Sequence, residues 1–409
     1  MTDATIRQCA ILMGGLGTRL GDLAAATPKP LLDCGGRPFL AWLMREFIRF
    51  GVDDFVLLTG HLADMVEASL PALRAALPIH VRITCCREPV RAGTGGALFH
   101  ARDHLADRFL LCNGDSMIDS NLARLLAAAA QDGADVTGRI ILRQLADTSR
   151  YGVVQLDGDH IFQFAERPAP GTPGTINAGI YLFRRTILDH VTPSCSLEAE
   201  IMPRLAAAGS LRGTTARGWF IDIGIPADLA RAQTELPHHL RRPALFLDRD
   251  GVINVDHGWV GTRDRFEWVP GVRESIAAAS DAGVHVFVVT NQSGIARGHY
   301  TEAEFTALSA WMTNEIRAAG GTIDDMRHCP FHPDAPLDAF RQASPWRKPE
   351  PGMLLDLIHH WELEPARCAL IGDQPSDAAA AAAAGIAAHH FAGGDLLALT
   401  RSVLTQLGR

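Results

Sequence analysis

The most informative stretch of this chain for its fold is Ala244-Leu245-Phe246-Leu247-Asp248-Arg249-Asp250-Gly251. Its first four residues are apolar, which is typical of a buried strand. Two carboxylates, Asp248 and Asp250, follow at the carboxyl end of that strand. Acids in this position suit a site that combines a nucleophile, a second acid and Mg²⁺. The stretch therefore predicts a buried strand that ends in a reactive site.

Short apolar segments alternate with helical patterns on both sides of this stretch. The alternation predicts an α/β architecture with parallel sheets. The alanine run 378–384 is interpreted as a tightly packed helix rather than as a functional segment. We expect strands at 8–13, 55–58, 109–112, 244–247, 284–289 and 368–371, and helices at 37–51, 121–132, 272–282 and 302–319.

The length of 409 residues is too great for one typical domain. The best candidate for a linker is the segment 236–243, in which two prolines accompany a cluster of cationic side chains. We therefore expect a first domain over residues 1–236, a linker over 237–243 and a second domain over 244–409.

Composition excludes several classes of protein. A formal net charge of -8 argues against a general nucleic-acid binder. The first ten residues include Asp3 and Arg7 and do not form a signal peptide, and no apolar stretch reaches membrane-spanning length. The eight cysteines form no Cys-x-x-Cys pair and are interpreted as buried thiols in a reducing cytosol. These features predict a cytoplasmic protein with small-molecule substrates and without nucleic-acid or membrane partners; they are compatible with a homo-oligomer.

A glycine-rich turn, Gly14-Gly15-Leu16-Gly17-Thr18-Arg19-Leu20, follows the first predicted strand. Glycines let a backbone approach a phosphate closely, and successive N–H groups can form an anion-binding nest. Arg19 adds a fixed fork of donors. Lys29 stands between Pro28 and Pro30, which make a stiff mount for a cation. Such a turn sometimes only reverses the chain, and a lone loop lysine is more often solvated.

Two acids follow predicted strands that are far apart in the sequence. Asp115 lies in Asn113-Gly114-Asp115-Ser116, and Asp222 lies in the segment 219–226. Carboxylates at strand ends in an α/β sheet can hold Mg²⁺ against a triphosphate. Each aspartate taken alone is more often a turn or cap residue. The two indicate a Mg²⁺ site only in combination with the other motifs.

The motifs of the first half occur in a fixed order that resembles the sugar-1-phosphate nucleotidylyltransferases over residues 6–235. The resemblance implies a Rossmann-like, GT-A-like mixed sheet and the in-line attack of a sugar 1-phosphate on a nucleoside triphosphate. The motifs are Gly-Gly-x-Gly-x-Arg at 14–19, Pro-Lys-Pro at 28–30, Gly-Thr-Gly-Gly-Ala at 93–97, Asn-Gly-Asp-Ser at 113–116, Tyr-Gly-Val-Val at 151–154, Asn-Ala-Gly-Ile-Tyr at 177–181 and the segment around Asp222.

The same resemblance implies roles for individual residues. Two positions depart from the family: Met13 stands where alanine is frequent, and Arg167 replaces the lysine of a Glu-Lys-Pro triplet, with a different reach toward phosphate. By resemblance, Gly14, Gly15, Gly17, Thr18, Arg19 and Lys29 handle the nucleoside triphosphate, Gly95 and Gly96 lie at the base or sugar, Asp115 and Asp222 bind Mg²⁺, and Glu166, Arg167, Asn177 and Glu198 contact the sugar phosphate.

The second half resembles the haloacid-dehalogenase (HAD) phosphatases over residues 244–392. The motifs are Asp248-x-Asp250, Thr290-Asn-Gln-Ser-Gly, Arg347-Lys348-Pro and Ile-Gly-Asp373. The resemblance implies that Asp248 attacks phosphorus, that Asp250 protonates the leaving alcohol, and that Thr290 and Lys348 hold phosphoryl oxygens. It also implies that Asp373 completes a Mg²⁺ site with Asp248 and the Asp250 main-chain carbonyl. The interval from Asp248 to Thr290 leaves no room for a large cap.

More narrowly, the second half resembles D-glycero-D-manno-heptose 1,7-bisphosphate phosphatases, and the histidinol-phosphate phosphatases share much of the pattern. Asn291, Arg297 and Arg347 are then candidates for substrate binding, and a surface salt bridge is the alternative for Arg297. These phosphatases commonly hold a zinc ion with three Cys and one His. Here only Cys329 remains, with Phe331, Ser344 and Trp346 at the other ligand positions. We therefore predict Mg²⁺ in both halves and no zinc.

Together the two resemblances imply consecutive reactions. Removal of the 7-phosphate from heptose 1,7-bisphosphate yields heptose 1-phosphate, which a nucleotidylyltransferase can join to GMP from GTP. The leading hypothesis is a bifunctional enzyme that makes GDP-heptose for a surface glycan. UTP, CTP or dTTP, another sugar phosphate, and histidinol phosphate remain alternatives. A non-catalytic sugar-nucleotide sensor in the first half is a further one, which intact Arg19, Lys29, Asp115 and Asp222 disfavour.

Overall fold

The computed structural model describes residues 6–15, 18–21 and 26–409. It divides into two compact units, a first unit that ends at Leu240 and a second unit over Arg241–Arg409. Both are α/β, as predicted. Within the described ranges, none of the helices is both long and apolar enough to cross a bilayer.

The first unit is built on a mixed sheet. Strand β1 pairs in parallel with β2 and β4, whereas β9 runs antiparallel to β4 and β6. The expectation of a purely parallel sheet is therefore wrong here, and the mixed sheet implied by the family resemblance is confirmed. The strands are β1 Gln8–Leu12, β2 Asp54–Thr59, β3 Arg82–Arg87, β4 Arg108–Asn113, β5 Ser116–Ile118, β6 Gly138–Leu145, β7 Val153–Asp157, β8 His160–Ala165, β9 Gly174–Arg184, β10 Leu211–Ala216 and β11 Phe220–Asp222.

These strands form two sheets. Nine of them make one sheet in the order β3-β2-β1-β4-β9-β6-β10-β8-β7, and β5 pairs with β11 in a separate two-stranded ribbon. All five residues of β1 and all six of β2 are buried, because parallel strands are covered by helices on both faces. Strand β5 lies directly after β4 in the chain, and so the ribbon begins close to the carboxyl end of β4.

The helices of the first unit cover this sheet. The helix Phe39–Arg49 shows why they form: Phe39, Leu40, Leu43 and Phe47 recur at helical spacing and are buried. The chain leaves that helix through Gly51, whose φ of 86° suits a residue without Cβ. The helices are α1 Phe39–Arg49, α2 Ala63–Ala75, α3 Gly93–His100, α4 Leu122–Ala129, α5 Met202–Ala207 and α6 Pro226–Leu240; a π-helix spans Leu197–Ile201, and 3₁₀ turns span Thr18–Leu20, Lys29–Leu31, Arg102–His104 and Arg185–Asp189.

The predicted linker is shorter than expected. Helix α6 continues through Pro237 to Leu240, with Leu236 and Leu240 buried. Two apolar anchors hold this last turn even though a proline interrupts its hydrogen bonding. Residues 237–240 are therefore helical, and only 241–243 separate α6 from the strand that begins at Ala244.

The second unit contains a parallel five-stranded sheet, ordered β14-β13-β12-β15-β16. The central strand β12 is the apolar run 244–247, and all four of its residues are buried. Strands β13 and β15 lie on opposite sides of β12. The carboxyl ends of the three strands are therefore adjacent at the point where the strand order reverses, which is where ligands bind in sheets of this kind. The strands are β12 Ala244–Leu247, β13 His285–Asn291, β14 Asp325–Cys329, β15 Cys368–Gly372 and β16 Ala387–His390.

Helices cover this second sheet as the sequence predicted. A capping box between Thr301 and Glu304 opens one of them. The alanine run lies in a helix that ends at Ala384 and is capped by Gly385, whose φ is 72°. The run is therefore helical as predicted, but only three of its seven alanines are buried. The helices are α7 Val272–Asp281, α8 Ser293–Ala296, α9 Glu302–Ala318, α10 Gly352–Trp361, α11 Pro375–Ala384 and α12 Leu396–Gln406, with 3₁₀ turns at Arg263–Arg265, Asp338–Phe340 and Pro365–Arg367.

Phe287 on β13 provides a test of this core. It is fully buried, with its ring 5.2 Å from Phe246 and 5.4 Å from Trp361. We expect Phe287→Ala to lower the free energy of unfolding of the second unit by about 3–5 kcal/mol, because it leaves a cavity. Urea unfolding followed by tryptophan fluorescence measures the loss. Leu355→Ala, at a position that is 46% exposed, is the control. Equal unfolding midpoints for the two variants would contradict the buried position of Phe287.

Candidate active sites

A cavity of about 170 Å³ opens in the first unit where β1 and β4 end. Gly14 and Gly15 follow β1 directly, and Gly15 has a φ of 142° that few other residues adopt. Gly17 and the Thr18 side chain, both predicted for nucleotide binding, lie outside the described residues. The lining residues are Leu12, Met13, Gly14, Gly15, Lys29, Pro30, Thr94, Asn113, Gly114, Asp115 and Glu198.

The two predicted Mg²⁺ ligands of the first unit are brought together by the β5–β11 ribbon. Asp222 pairs with Ser116 in the ladder, and the Ile223 N–H donates to the Asp115 carbonyl at 2.9 Å. Burial raises the pKa of Asp222, and the nearby Asp115 carboxylate raises it further. Two carboxylates that repel each other in a partly buried site fit a divalent cation, which favours hard oxygen ligands.

Two cations accompany these acids. The Lys29 ammonium lies 3.1 Å from Asp115, with the lysine side chain largely buried. Arg19 lies beside Asp222 and partly opposes the rise in its pKa that burial and Asp115 cause. Gly224 leaves the room for this approach, since a Cβ there would be 2.7 Å from Asp222 Oδ1 and 3.0 Å from Arg19 Nη2. The structure thus gathers both predicted cations and both predicted acids at one place.

The glycine pair of α3 has a clear structural use. Gly95 and Gly96 donate their N–H groups to the Cys195 carbonyl at 3.0 and 3.2 Å. A Cβ on Gly96 would lie 2.6 Å from Ala92 Cβ and 2.8 Å from the Pro193 carbonyl. The pair therefore lets the segment before the π-helix approach α3 closely. Its predicted contact with a nucleotide base or sugar stays a prediction.

The predicted sugar-phosphate residues fall into separate groups. Glu198 lines the cavity and accepts a hydrogen bond from the Thr94 hydroxyl at 2.5 Å. Asn177 is held in place because its amide donates to the Tyr181 hydroxyl at 2.8 Å and accepts from the Gly179 N–H at 2.9 Å. Glu166 and Arg167 are exposed and do not line this cavity.

A second cavity, of about 230 Å³, opens in the second unit where β12, β13 and β15 end. The parallel sheet brings these strand ends together, as the motif positions predicted. Six of the predicted residues line it: Asp248, Asp250, Thr290, Asn291, Lys348 and Asp373. Its other lining residues are Asp256, Gly258, Trp259, Ser293, Gly294, Tyr300, Gln374 and Ser376.

Lys348 is the electrostatic centre of this cavity. Its ammonium lies 2.9 Å from Asp248 Oδ1 and 2.6 Å from Asp377 Oδ1, and it donates to the Val289 carbonyl at 2.9 Å. Burial lowers the pKa of Lys348, but the two carboxylates outweigh that effect and the pKa is raised. The lysine is therefore held charged in a buried position.

Asp248 titrates far from its usual range. Burial raises its pKa to about 7, against the lowering effect of Lys348, and Asp377 and Asp250 add to the rise. The Arg249 N–H donates to Asp248 Oδ1 at 2.7 Å and fixes the carboxylate. Asp248 Oδ1 thus has two donors, the Arg249 N–H and the Lys348 ammonium, and they fix the carboxylate at the wall of the cavity that it lines.

Asp250 is held by side chains that the motif analysis did not single out. Arg249, which is 1% exposed, donates to both carboxylate oxygens at 2.8 and 2.9 Å. Gln292 Nε2 donates to Asp250 Oδ2 at 2.9 Å and Asn254 Nδ2 to Oδ1 at 3.0 Å. Gln292 is itself oriented by Tyr300, whose hydroxyl donates to it at 2.5 Å. This carboxylate has little freedom to turn.

Three acids of the second unit could hold a metal ion together. Among the described residues, the group whose ligand atoms all lie within 4.8 Å of one another is Asp248, Asp373 and Asp377. Asp377 directly precedes the alanine run 378–384. The structure gives it a capping contact, since the Gln374 N–H donates to it at 3.0 Å, and a place in the acidic group as well. A carboxylate cluster of this kind fits Mg²⁺.

Glycines make room for these acids. Gly251, with a φ of 87°, lies against the Asp373 carboxylate, and Gly372 lies against Asp377. A Cβ at either position would overlap the carboxylate it faces. The close approach of backbone and acid therefore depends on the absence of a side chain at both positions.

The three predicted substrate contacts of the second unit differ in placement. The Asn291 amide exchanges two hydrogen bonds of 3.0 Å with the backbone of Lys348, so it positions the lysine. Arg347 donates to the Phe331 carbonyl at 3.4 Å, and its pKa is lowered by burial and then by the nearby Arg297. The two arginines form a cationic pair that does not line the cavity itself.

The predicted absence of zinc is testable at Cys329. This cysteine is buried, and its thiol contacts the Phe331 carbonyl at 3.9 Å. Phe331 packs on Phe340 with ring centroids 6.0 Å apart. We expect chelator-washed protein to contain about 0.1 zinc per chain or less, because one thiolate cannot build a tetrahedral site. Elemental analysis measures this, and one zinc per chain would contradict it.

Family comparisons now identify both units. A family model described as nucleotidyl transferase matches residues 9–239, more than half of the chain, and one described as HAD-hydrolase-like matches 345–395. The D-glycero-beta-D-manno-heptose-1,7-bisphosphate 7-phosphatase of Rhodopseudomonas palustris is 48% identical over 169 residues, which are 41% of this chain and 94% of that protein. The chain belongs to both families.

Further relatives match each unit separately. The phosphatase unit is 44% identical over 144 residues to the enzyme of the same name from Escherichia coli K12, covering 75% of that protein and 35% of this chain. The transferase unit is similar to the crystal structure of HddC from Yersinia pseudotuberculosis, with 30% identity and a TM-score of 0.50 over 56% of this chain and 99% of that one. The structure of HddC complexed with GMP-PN is 29% identical, with a TM-score of 0.50, over 56% of this chain and 99% of that one.

The residues missed by motif analysis either hold a side chain that the motifs did identify or line the phosphatase cavity. Arg249 and Gln292 lie inside motifs and could have been proposed as partners of Asp250. No sequence signal predicted that residues 254–260 would return to the phosphatase cavity. The missed residues are Arg249, Asn254, Asp256, Trp259, Gln292, Ser293, Gly294, Tyr300, Gln374 and Ser376.

Proposed function

We propose that the chain is a bifunctional enzyme of nucleotide-activated heptose synthesis. The phosphatase unit removes the 7-phosphate of D-glycero-D-manno-heptose 1,7-bisphosphate. The transferase unit then transfers GMP from GTP to heptose 1-phosphate and releases pyrophosphate. The observation that carries the proposal is the joining, in one chain, of a unit 48% identical to a 7-phosphatase with a unit similar to HddC, because the product of the first reaction is the substrate of the second.

In the phosphatase unit, Asp248 is proposed to attack phosphorus and form an aspartyl-phosphate while the heptose C7 alkoxide leaves. Asp250 donates its proton to that leaving oxygen and then accepts one from the water that hydrolyses the intermediate. Arg249 and Gln292 fix the orientation of Asp250, and a group that exchanges protons with one oxygen must be aimed at it. Thr290 and Lys348 bind the transferred phosphoryl oxygens.

Mg²⁺ in this unit would be held by Asp248, Asp373 and the Asp250 main-chain carbonyl. The close grouping of Asp248 and Asp373 with Asp377 supports the proposal and adds Asp377 as a third acid. A bound divalent cation neutralises charge on the phosphoryl oxygens during transfer. Asp377 also offsets the charge of Lys348 in the absence of substrate.

Arg297 and Arg347 are proposed to hold the phosphate that the enzyme spares. Burial lowers the pKa of His332, and both arginines lower it further; burial likewise lowers the pKa of Arg347, and Arg297 adds to that effect. Two guanidinium groups that repel each other favour an anion between them. They lie beside the cavity rather than in it, which suits a 1-phosphate at some distance from the reacting 7-phosphate. Asn291 acts indirectly, by fixing Lys348.

In the transferase unit, Asp115 and Asp222 would hold Mg²⁺, with Arg19, Lys29 and the N–H groups of the turn at Gly14 and Gly15 around the triphosphate. No general base is needed, because the attacking sugar phosphate is already ionised. Positioning and charge neutralisation therefore carry the reaction. The gathering of two acids and two cations at one strand end supports this arrangement.

The sugar phosphate is proposed to contact Glu198 and Asn177, with Glu166 and Arg167 reaching it from exposed positions. Glu198 has the stronger support, since it lines the same cavity as Asp115. Gly95 and Gly96 are proposed to lie at the base or sugar. Guanine is proposed as the base because HddC was crystallised with GMP-PN.

We propose transferase and phosphatase domains over 1–236 and 244–409, and a cytoplasmic location. All eight cysteines are free thiols, and burial raises the pKa of Cys34 and of Cys368 to about 12. Unreactive, unpaired thiols are usual in a reducing compartment.

A substrate panel tests the proposed function. Purified chain with Mg²⁺ receives heptose 1,7-bisphosphate, and phosphate release is measured; GTP, UTP, CTP or dTTP is then added, and pyrophosphate release is measured. We expect phosphate release first and pyrophosphate release with GTP. Faster pyrophosphate release with another nucleotide would overturn the base assignment. Hydrolysis of histidinol phosphate in preference to the heptose would overturn the sugar assignment. Nucleotide binding without pyrophosphate release for any sugar 1-phosphate would favour the sensor.

A further inference from the structure

Trp259 stands at the phosphatase cavity in an unusual state. It lines the same cavity as Asp248 and Asp250, and it is 47% exposed. Its φ is 49°, in the left-handed region, which is shared by only two other non-glycine residues of the described chain. A bulky residue in that region costs about 1 kcal/mol or more. Strain of this kind is retained at functional sites when the surrounding structure enforces it.

Hydrogen bonds within the segment around Trp259 enforce this strained backbone conformation. Arg265 donates to the carbonyls of His257 and Gly258 at 2.9 Å and to that of Trp259 at 3.3 Å. The Gly258 N–H donates to Asp256 at 2.9 Å. One guanidinium thus fixes three successive carbonyls, and the backbone cannot relax to a common conformation without losing these bonds.

The indole ring is also fixed. It stacks on the imidazole of His299 with centroids 4.0 Å apart and planes 16° apart. His299 is itself anchored, since its N–H donates to the Gly294 carbonyl at 2.9 Å. One face of the indole is therefore covered by a neighbour, while the side chain still presents surface at the cavity wall.

The chemistry of this surface indicates its ligand. The face of an aromatic ring carries partial negative charge, so it repels a phosphate and attracts polarised C–H groups. Asp256 lines the same wall and offers carboxylate oxygens to hydroxyl groups. An apolar face beside hydroxyl acceptors matches a sugar ring and not a phosphoryl group.

We propose that Trp259, held by Arg265 and stacked on His299, is a platform for the sugar ring of the phosphatase substrate and a determinant of its specificity. This inference rests on the proposed phosphatase function. The strained loop supplies a wall that a cap domain would otherwise provide. Trp259 contacts the sugar and not the reacting phosphorus, so it should act on KM far more than on kcat.

Trp259→Gly separates the ring from the backbone conformation, because glycine adopts the same φ without strain. Phosphate release is measured for heptose 1,7-bisphosphate and for glycerol 3-phosphate, a phosphomonoester without a ring. We expect the KM for heptose 1,7-bisphosphate to rise about tenfold relative to the KM for glycerol 3-phosphate, which is the effect of losing one stacking contact. Trp259→Phe should recover most of the change. Glu362→Gly is the matched control, since it relieves a φ of 56° elsewhere in the unit.

The outcomes separate the alternatives. A KM ratio for Trp259→Gly equal to that of Glu362→Gly overturns the platform. Equal losses on both substrates overturn it too, because they point to a collapsed loop. Wild-type protein that leaves the heptose bisphosphate intact but hydrolyses another cyclic sugar phosphate overturns the proposed substrate, and the ratio measured with that sugar then tests the platform independently.

Discussion

Asp248→Asn should reduce phosphate release by about four orders of magnitude or more, the usual scale for removing a nucleophile that acts with its partners as a unit. An amide oxygen does not attack phosphorus to form a stable acyl phosphate. The substitution keeps the size of the side chain and the hydrogen bond from the Arg249 N–H. The loss will therefore report on chemistry rather than on folding.

The other unit of the same chain provides the control for this experiment. With heptose 1-phosphate and GTP supplied directly, the Asp248→Asn variant should release pyrophosphate at the wild-type rate. Asp115→Asn should give the reciprocal pattern, with pyrophosphate release lost and phosphate release retained. Phosphate release by Asp248→Asn within tenfold of wild type would show that another group is the nucleophile.

Lys348→Met should lower the free energy of unfolding of the second unit by about 3–5 kcal/mol, because it leaves buried carboxylates without their cation. Lys348 is 4% exposed and Asp377 1%, so water cannot replace the lost partner. Methionine keeps the volume of the aliphatic stem. Urea unfolding without divalent ions measures the loss.

The pH dependence gives this prediction a direction. The pKa of Asp248 is already raised to about 7 with Lys348 beside it, and removal of the lysine raises it further. A folded carboxyl with a raised pKa binds more protons than the unfolded one, so stability falls as pH rises above the unfolded value. The variant should therefore recover stability relative to wild type between pH 8 and pH 5.

Two further variants make the result specific. The double variant Lys348→Met/Asp377→Asn should lose less free energy of unfolding than Lys348→Met alone, because it has one uncompensated charge fewer. Arg87→Met breaks an exposed ion pair with Asp64 in the first unit and should leave the unfolding of the second unit unchanged. A pH-independent deficit for Lys348→Met would show that lost packing, and not charge, explains it.

The sequence predicted the strands that carry the chemistry because their signals are local. The run 244–247 is apolar throughout and ends in acids, and its boundaries in the structure are the predicted ones. Helix α1 was predicted over 37–51 and is found over Phe39–Arg49, two residues shorter at each end. Strand direction is not local, and so the antiparallel β9 could not be told from a parallel strand by its apolar pattern.

Much of the site geometry depends on contacts between distant residues. Lys348 meets Val289 and Asp248 across separations of 59 and 100 positions, and no spacing rule predicts which acid it will choose. Pro237 was taken as a sign of a linker, yet buried Leu236 and Leu240 keep α6 helical there. In both cases tertiary packing, and not local propensity, decides.

The three hydrogen-bond donors of the Lys348 ammonium are all engaged, by Asp248, Asp377 and the Val289 carbonyl. An ammonium has no fourth proton to offer. A phosphoryl oxygen that enters the pocket must therefore displace one of these acceptors, and it can do so at little cost only if it is as strongly charged as the carboxylate it replaces. The pocket thus admits ligands by exchange: a dianionic phosphate monoester exceeds the charge of the carboxylate it displaces, whereas a neutral ester meets a lysine whose donors are already engaged.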